Sequence, residues 1–268
     1  MSTYLNWLEN ESVYIIREAF NKTKNLALLW SMGKDSTVLM HLVRKAFMGQ
    51  VPLPVVHIDT SYKIPAMIEW RDDYAKRHNL RLIVGQNKTA LDEGMGPEKG
   101  RLVCCGALKT QALLDTVKEH KLGGLLLGIR RDEEGSRGKE RIVSPRSDSS
   151  KWTYKNQPAE IWHYYNLHVP EEVHVRVHPL LPWTEMDIWE YIEREKLDVM
   201  PLYFTNEEGR RYRSLGCWPC TGSVESSACS VGDIIDELRT TKTTERAGRA
   251  QDKVDTYAMQ LLRKDGYM

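Results

Sequence analysis

Short apolar runs alternate with amphipathic stretches over the first two-thirds of the chain. An apolar run of about four to eight residues is typical of a buried parallel strand, and apolar residues at helical spacing are typical of a surface helix. The strand-like runs are Leu26–Trp30, part of Val51–Thr60, Leu80–Val84 and Gly123–Gly128. The helix-like stretches are Leu5–Asn21, Asp35–Phe47, Ile64–His78 and Leu108–His120. This order predicts an α/β fold with a doubly wound, mainly parallel sheet and right-handed crossovers.

The pattern changes after about residue 180. One more alternating stretch, His174–His178, predicts a strand, and the segments that follow are short helices separated by polar loops. The predicted helices are Glu185–Glu195, opened by a capping box at Thr184, a second from Ser230 and Asp233 to Leu238, and a closing helix at Tyr257–Lys264. We therefore expect a sheet domain over residues 1–180 and a helical, loop-rich C-terminal region over residues 181–268.

The first predicted strand leads into the loop Ser31-Met32-Gly33-Lys34-Asp35-Ser36, which opens a helix. A strand, a glycine-containing loop and a helix N-terminus together present backbone N–H groups to an anion. Lys34 adds a positive charge, and the hydroxyls of Ser31 and Ser36 add donors. The loop does not have the Walker A spacing, since Leu28 stands where the first glycine should be. The ordinary alternative is a strand-to-helix turn with a surface lysine.

The densest charge run, Gly128–Ile142, directly follows the fourth predicted strand and so leaves the sheet at its ligand-binding edge. Its arginines and lysine are placed to clamp a polyphosphate, and Asp132, Glu133 and Glu134 to hold Mg²⁺. The cations in question are Arg130, Arg131, Arg137, Lys139 and Arg141. The alternative is a solvated loop, which is the usual role of a charge run.

Composition excludes several classes of protein. The chain has 268 residues, 41% of them hydrophobic and 28% charged, which is typical of a globular protein. No apolar run approaches the roughly 20 residues that span a membrane, and the N-terminus has no signal-peptide pattern, so we expect a cytoplasmic protein. The formal net charge is +1, so no global basic field indicates nucleic-acid binding.

Five cysteines are present: Cys104, Cys105, Cys217, Cys220 and Cys229. An odd, clustered set in a reducing compartment indicates metal, cluster or redox chemistry rather than structural disulfides.

Several motifs, in order along most of the chain, resemble one family. They are SMGKDSTVLMHLVRKAF, LPVVHIDT, GIRRDEEGSRGKERI, WTEMDIWEYI, VMPLYF, RYRSLGCWP, TGSVESSA, TTERAGRAQD and the terminal KDGYM. The sequence resembles the small, ATP-pyrophosphatase subunit of bacterial sulfate adenylyltransferase, within the phosphoadenosine-phosphosulfate reductase superfamily of PP-loop enzymes. Met32 replaces the first glycine of that family's S-G-G-K-D-S loop. The resemblance implies an adenine-nucleotide α-hydrolase-like fold that cleaves ATP between its α and β phosphates.

The resemblance also implies roles for individual residues. The implied ATP-binding residues are Ser31, Gly33, Lys34, Asp35 and Ser36 at the phosphates, His57, Asp59 and Thr60 near the ribose and α-phosphate, and Gly128. The implied catalytic residues are Lys34, Asp35, Arg130, Arg131 and Asp132. Mg²⁺ bridges phosphate oxygens in such a site, and the acceptor oxyanion itself attacks, so no protein nucleophile is needed.

The pair Cys104-Cys105, followed far downstream by Cys217-x-x-Cys220, looks like the [4Fe–4S] signature of assimilatory adenylylsulfate reductases. Zinc, for which Cys217 and Cys220 fit half a site, and simple burial of the thiols remain open. A reductase is not expected, because that activity needs a cysteine near the C-terminus and the tail reads LLRKDGYM.

Two enzymatic functions therefore remain. The first is the transfer of AMP from ATP to sulfate or another oxyanion, with a GTPase large subunit as partner. The second is an iron–sulfur sulfurtransferase that adenylylates DNA or tRNA, with the basic segments Arg210–Arg213 and Arg239–Arg249 along the phosphate backbone. A homodimer is compatible with either, and no membrane partner is expected.

Overall fold

A computed structural model describes residues 2–146, 151–153, 155, 157–167, 170, 173–248 and 258–266 of the chain. Its centre is a six-stranded sheet with the order β3-β2-β1-β4-β6-β5. The strands are β1 (Leu26–Leu29), β2 (Val55–Ile58), β3 (Leu82–Gly85), β4 (Gly124–Leu127), β5 (Val143–Pro145) and β6 (Val175–Val177). A separate antiparallel pair joins β7 (Arg210–Arg211) to β8 (Val224–Glu225).

The sheet is parallel except at β5, which pairs antiparallel with β6 at one edge. β1 lies at its centre, with β2 on one side and β4 on the other. The order of strands therefore reverses between β1 and β4, and a crevice opens there at the carboxyl ends of the strands. The predicted α/β sheet is confirmed. The edge strand β5 was not predicted, because three residues at the end of a charge run carry no readable alternation.

The helices alternate with the strands along the chain. They are α1 (Ser2–Lys22), α2 (Lys34–Ala46), α3 (Pro65–Arg77), α4 (Lys88–Asp92), α5 (Arg101–Cys105), α6 (Ala112–Glu119), α7 (Glu185–Glu195), α8 (Val231–Thr240) and α9 (Ala258–Lys264). Two five-residue helices, Lys88–Asp92 and Arg101–Cys105, were not predicted from the sequence. Capping boxes open α7 at Thr184 and α8 at Ser230, as predicted. The helix expected over Leu108–His120 is instead a π-helical turn, Gly106–Gln111, that continues into α6.

One continuous hydrophobic core joins the sheet to the C-terminal helices. It includes Trp30 of the first strand end and Leu126 of β4, together with Ile188 of α7 and Ile234 of α8, all fully buried. The boundary at residue 180 stays a prediction, with core residues on either side of it. Within the described part of the chain, no helix has the length and apolar character needed to cross a membrane.

Gly128, directly after β4, has no room for a side chain. A Cβ there would lie 3.0 Å from the carbonyl carbon of Asp35 and from the backbone nitrogen of Ser36. The end of β4 therefore packs directly against the first turn of α2.

We predict that Gly128→Ala lowers the free energy of unfolding by about 1–3 kcal/mol, because backbone must move to admit the methyl group. Gly138→Ala is the matched control, since a Cβ there meets nothing within 4 Å. Urea denaturation of both variants tests this, and equal stabilities would contradict the close packing at Gly128.

Candidate functional site

A pocket lies at the carboxyl ends of β1, β2 and β4, where the strand order reverses. Its free volume is about 140 Å³. The residues from the three strand ends are Leu29, Trp30, His57, Ile58, Leu127, Gly128 and Ile129. The loop before α2 contributes Ser31, Gly33, Lys34, Asp35 and Ser36. The structure thus brings the predicted phosphate loop and Gly128 to one site.

Local hydrogen bonds hold this loop in a tight turn. The Ser36 hydroxyl accepts from the backbone N–H of Ser31 at 3.2 Å and donates to the Gly33 carbonyl at 3.1 Å. Met32 has a φ of 64°, a left-handed conformation that a residue with a side chain adopts at some cost. Its side chain is fully buried, so core packing offsets that cost.

Lys34 is the cation at the centre of the site, and it is only 1% exposed. Its backbone N–H donates to the Tyr203 hydroxyl at 2.8 Å. Its ammonium group donates to Asp35 at 3.2 Å and forms a short ion pair with Glu245. A lysine buried this deeply needs such carboxylates, because an unpaired buried charge is very costly.

Arg130, fully buried, is the second cation. It forms ion pairs with Asp35 and Glu245, and its Nε donates to Asp132 at 2.9 Å. The other oxygen of Asp132 accepts from the backbone N–H of Glu185 at 2.7 Å, at the start of α7. Asp132 therefore holds Arg130 against a helix N-terminus from outside the pocket lining.

Glu245 bridges the two cations, and it is buried in the same pocket. Burial by itself raises the pKa of this carboxyl group, but Lys34 and Arg130 outweigh burial and hold the pKa well below its ordinary value. Glu245 is therefore ionised at neutral pH. It occupies the position between two cations that suits an anionic ligand.

Neither Glu245 nor Tyr203 was singled out from the sequence. Glu245 lies in Thr240–Asp252, a polar, basic stretch without a recognisable period, and only the TTER motif of the resemblance marks it. Tyr203 lies in the VMPLYF motif, where it is one more aromatic residue in an apolar stretch.

Other residues of the charge run lie either in the lining of the pocket or on the opposite side of the loop that carries them. Arg137 lines the pocket together with Glu133 and Arg246. Arg131 does not: its guanidinium donates to the carbonyl oxygen of Glu140 at 3.3 Å, and its side chain is exposed on the other side. Successive residues that leave a strand in extended form face opposite ways, and this separates Arg130 from Arg131.

The acidic residues predicted to hold Mg²⁺ are already paired with cations. Glu133 pairs with Arg137 and, at 3.4 Å, with Arg246, which also lies 3.4 Å from Glu134. Among the residues that the structure describes, no group of three or more His, Cys, Asp or Glu side chains is arranged to hold a metal ion.

His57 is a neutral hydrogen-bonding group at the pocket. Its Nδ1 lies 3.0 Å from the Trp30 carbonyl oxygen, to which it donates. Burial lowers the pKa of His57 to about 4, so the ring is neutral and its Nε2 is an acceptor. Nε2 is buried without a hydrogen-bond partner among the described residues.

The other two residues expected near the ribose lie outside the pocket lining. Asp59 accepts from the backbone N–H of Ser61 at 2.8 Å. Thr60 is buried, with its hydroxyl 3.1 Å from the sulfur of Cys217.

Four of the five cysteines lie near one another, although they come from two distant segments. Burial and the neighbouring thiols of Cys105, Cys217 and Cys220 together raise the pKa of the Cys104 thiol to about 11. Cys229 is exposed. The structure therefore brings together the four cysteines singled out from the sequence, without arranging them as a metal site.

Comparisons with known proteins show the family of this chain. Residues 25–223 match the family described as the phosphoadenosine phosphosulfate reductase domain. The chain is 42% identical to "Sulfate adenylyltransferase subunit 2" of Methylobacterium sp. (strain 4-46), with 99% of this chain and 95% of that protein covered. The protein of the same name from Bacteroides thetaiotaomicron is 40% identical, with 99% and 98% covered.

Two solved structures share the fold. FMN adenylyltransferase from Candida glabrata aligns with a TM-score of 0.60 and 17% identity, over 92% of this chain and 88% of that one. Phosphoadenylyl-sulfate reductase from Candida auris aligns with a TM-score of 0.57 and 16% identity, over 82% and 97%. By sequence and fold, the chain belongs to the phosphoadenosine phosphosulfate reductase domain family, among the sulfate adenylyltransferase subunit 2 proteins.

Proposed function

We propose that this chain catalyses the transfer of AMP from ATP to sulfate, giving adenylyl sulfate and pyrophosphate. The observation that carries the proposal is the pair of buried cations, Lys34 and Arg130, beside the N-terminus of α2 at the sheet's switch point. The choice of sulfate as the acceptor rests on the name of the relatives, sulfate adenylyltransferase subunit 2.

The chemistry needs positioned positive charge and no protein nucleophile. A sulfate oxygen attacks the α-phosphorus of ATP, the bond from that phosphorus to the α,β-bridging oxygen breaks, and pyrophosphate leaves with the electron pair. Lys34 and Arg130 stabilise the negative charge that grows on the leaving group. Mg²⁺ carried by the nucleotide would supply further neutralisation of the phosphate charge.

The closed pocket must open before ATP binds. A volume of about 140 Å³ is below the roughly 300 Å³ at which ligand pockets begin. Glu245 also holds the two cations that the phosphates need. In our proposal the triphosphate displaces the Glu245 carboxylate and takes its place between Lys34 and Arg130.

His57 is placed to recognise the nucleoside. Its unpaired Nε2 is a buried acceptor, and an acceptor left without a donor costs free energy. We infer that a ribose hydroxyl or the adenine amino group of ATP donates to it. Asp59 and Thr60 support the neighbouring turn in this proposal and do not contact the nucleotide.

Subunit 2 of an enzyme works with a companion, so we propose that a large subunit, a GTPase, binds this chain. A cytoplasmic location also stays a prediction.

The sulfurtransferase alternative rests on the grouping of Cys104, Cys105, Cys217 and Cys220. As placed, the described thiols form no metal-binding group and so do not fit an iron–sulfur cluster. The nucleic-acid part of this alternative has less support, because arginines of both basic segments are paired internally. Arg211 pairs with Glu237, Arg213 with Glu185, and Arg246 with Glu133.

We expect Lys34→Ala to reduce pyrophosphate release from ATP at least about 100-fold, because a buried cation at the departing phosphates is lost. Lys45→Ala is the control on the same helix: Lys45 pairs with Glu9 and Glu195 at 2.8 Å, away from the pocket. A coupled assay for pyrophosphate, in the presence of sulfate and the large subunit, measures both. Near-normal release by Lys34→Ala would reject the assigned site.

Glu245→Gln should tighten ATP binding about tenfold, the gain expected if the closed form is roughly 90% populated. The nucleotide-free protein should lose about 3 kcal/mol of stability, because two buried cations lose a shared carboxylate. Glu237→Gln is the control, since Glu237 pairs with Arg211 outside the pocket. Calorimetric titration with ATP and thermal unfolding test both effects. Weaker ATP binding by Glu245→Gln would show that the carboxylate supports the bound nucleotide.

Iron and sulfide analysis, with an absorbance spectrum near 400 nm, decides between the two functions on protein purified without oxygen. The sulfate adenylyltransferase proposal expects no stoichiometric iron. Bound iron and sulfide that are lost in Cys105→Ser but kept in Cys229→Ser would favour the sulfurtransferase, since Cys229 is exposed and outside the group.

A further inference from the structure

A second cleft lies on the other side of the loop that carries Arg130. Its volume is about 250 Å³. It is lined by Trp7 and Glu11 of α1, Arg131, Arg141 and Ile142 of the charge run, and Glu160, Trp162, His163, Tyr165 and Pro182. We call this surface the aromatic cleft. It contains Arg131, one of the two arginines that the family resemblance implied to be catalytic.

Large aromatic side chains stand exposed around this cleft. Trp162 is 86% exposed and Trp7 44%. Tyr4, 52% exposed, stacks on Trp7, and His163 meets Trp7 edge-on with 5.9 Å between ring centroids. A single exposed aromatic residue needs no explanation, but a contiguous group of them marks an interaction surface.

The backbone at Trp162 supports a function for its exposure. Trp162 and His163 have φ values of 52° and 60°, and the turn is closed by a 3.0 Å hydrogen bond from the Tyr164 N–H to the Ile161 carbonyl. Left-handed conformations at two successive bulky residues cost free energy. Burial of the Trp162 indole does not offset this cost, because the side chain is exposed. The turn presents Trp162 to the outside.

Charge indicates what the cleft binds. Among the described residues, neither Arg131 nor Arg141 forms an ion pair, and both are exposed. The acidic residues of the cleft are already engaged: Glu11 lies 3.3 Å from His163, and Glu160 accepts from the Val143 N–H at 3.1 Å. The surface thus offers two exposed guanidinium groups beside tryptophan, and arginine and tryptophan are among the residue types most enriched at binding hot spots.

We propose that the aromatic cleft is the docking surface for the companion large subunit, which presents acidic side chains to Arg131 and Arg141 around an apolar contact with Trp162. A second copy of this chain fits less well, because a twofold interface would have to pair its arginines with Glu11 and Glu160, which His163 and the Val143 N–H already engage. Nucleic acid also fits less well, because two arginines on a chain of formal net charge +1 can neutralise few phosphates of a backbone.

The surface lies one residue from the active site. Arg130 and Arg131 are consecutive, and the Arg131 N–H donates to the Leu181 carbonyl at 3.1 Å. A partner bound to the Arg131 side chain therefore holds the backbone that carries Arg130. The identity of the partner rests on the proposed function, whereas the surface itself does not.

The test measures binding of the full-length chain to the large subunit from the same organism. Trp162→Asp and Arg131→Glu should each weaken the complex at least tenfold. Met48→Asp is the control, because Met48 is 91% exposed at the far end of α2, in a left-handed conformation that aspartate tolerates. Thermal unfolding and ATP titration of Trp162→Asp confirm that the variant folds and keeps its pocket.

Four results would overturn the proposal. The first is wild-type affinity in both variants, and the second is no complex with the wild-type chain. The third is a wild-type homodimer that Trp162→Asp converts to a monomer. The fourth is single-stranded RNA binding that Trp162→Asp abolishes while the large subunit still binds. If the complex forms through Trp162 but no AMP is transferred to sulfate, the proposed function fails and the docking surface stands.

Discussion

The ion pairs of Glu245 with Lys34 and Arg130 are the interaction on which the rest of the site depends. Two cations buried beside one another repel, so they persist only with carboxylates between them. Asp35 supplies one and Glu245 the other. In our proposal, the protein thereby keeps an anion-binding centre assembled before any ligand binds. Preassembled charge is worth more to catalysis than charge that must be gathered during the reaction.

The segment that carries Glu245 is held in place by a second ion pair. Arg213 donates two hydrogen bonds to Glu185, at 3.0 and 2.7 Å, and a third to the Thr243 carbonyl at 2.9 Å. Glu185 also begins α7, and its N–H binds Asp132. Arg130, α7 and the Glu245 segment are therefore parts of one network. If phosphate displaces Glu245 as we propose, we expect the displacement to alter the contacts at the start of α7 and in the loop that leads to Arg131.

The fold followed from the sequence because its signals are local. Continuous apolar runs identify central strands, helical spacing identifies the covering helices, and Thr184 and Ser230 each satisfy a capping box. The turn at residues 31–36 was equally readable, since a strand, a glycine and a lysine lie within one short stretch, and its phosphate-binding role stays a prediction. The π-helical turn at Gly106–Gln111 was not, because its apolar spacing resembles that of an ordinary helix.

The remaining features of the site depend on contacts between distant segments. Glu245 lies 211 residues from Lys34 along the chain, and no local pattern announces their pairing. Arg130 and Arg131 are chemically alike in the sequence. The structure buries Arg130 behind the pocket, where it pairs with Asp35 and Glu245, and places Arg131 in the aromatic cleft. Charge runs and basic segments are typical of ligand-binding surfaces, yet three of their arginines, Arg211, Arg213 and Arg246, are buried and pair with carboxylates within the fold.

In our proposal, phosphate and Glu245 exclude each other at Lys34 and Arg130. Hydrogen exchange of the backbone, measured with and without pyrophosphate, checks this exclusion, because exchange reports local opening. We expect pyrophosphate to slow exchange in the first turn of α2 and to speed it in residues 241–246, because the displaced segment loses its ion pairs. Slower exchange in both regions would contradict the displacement, because Glu245 would then remain in the pocket beside the bound ligand.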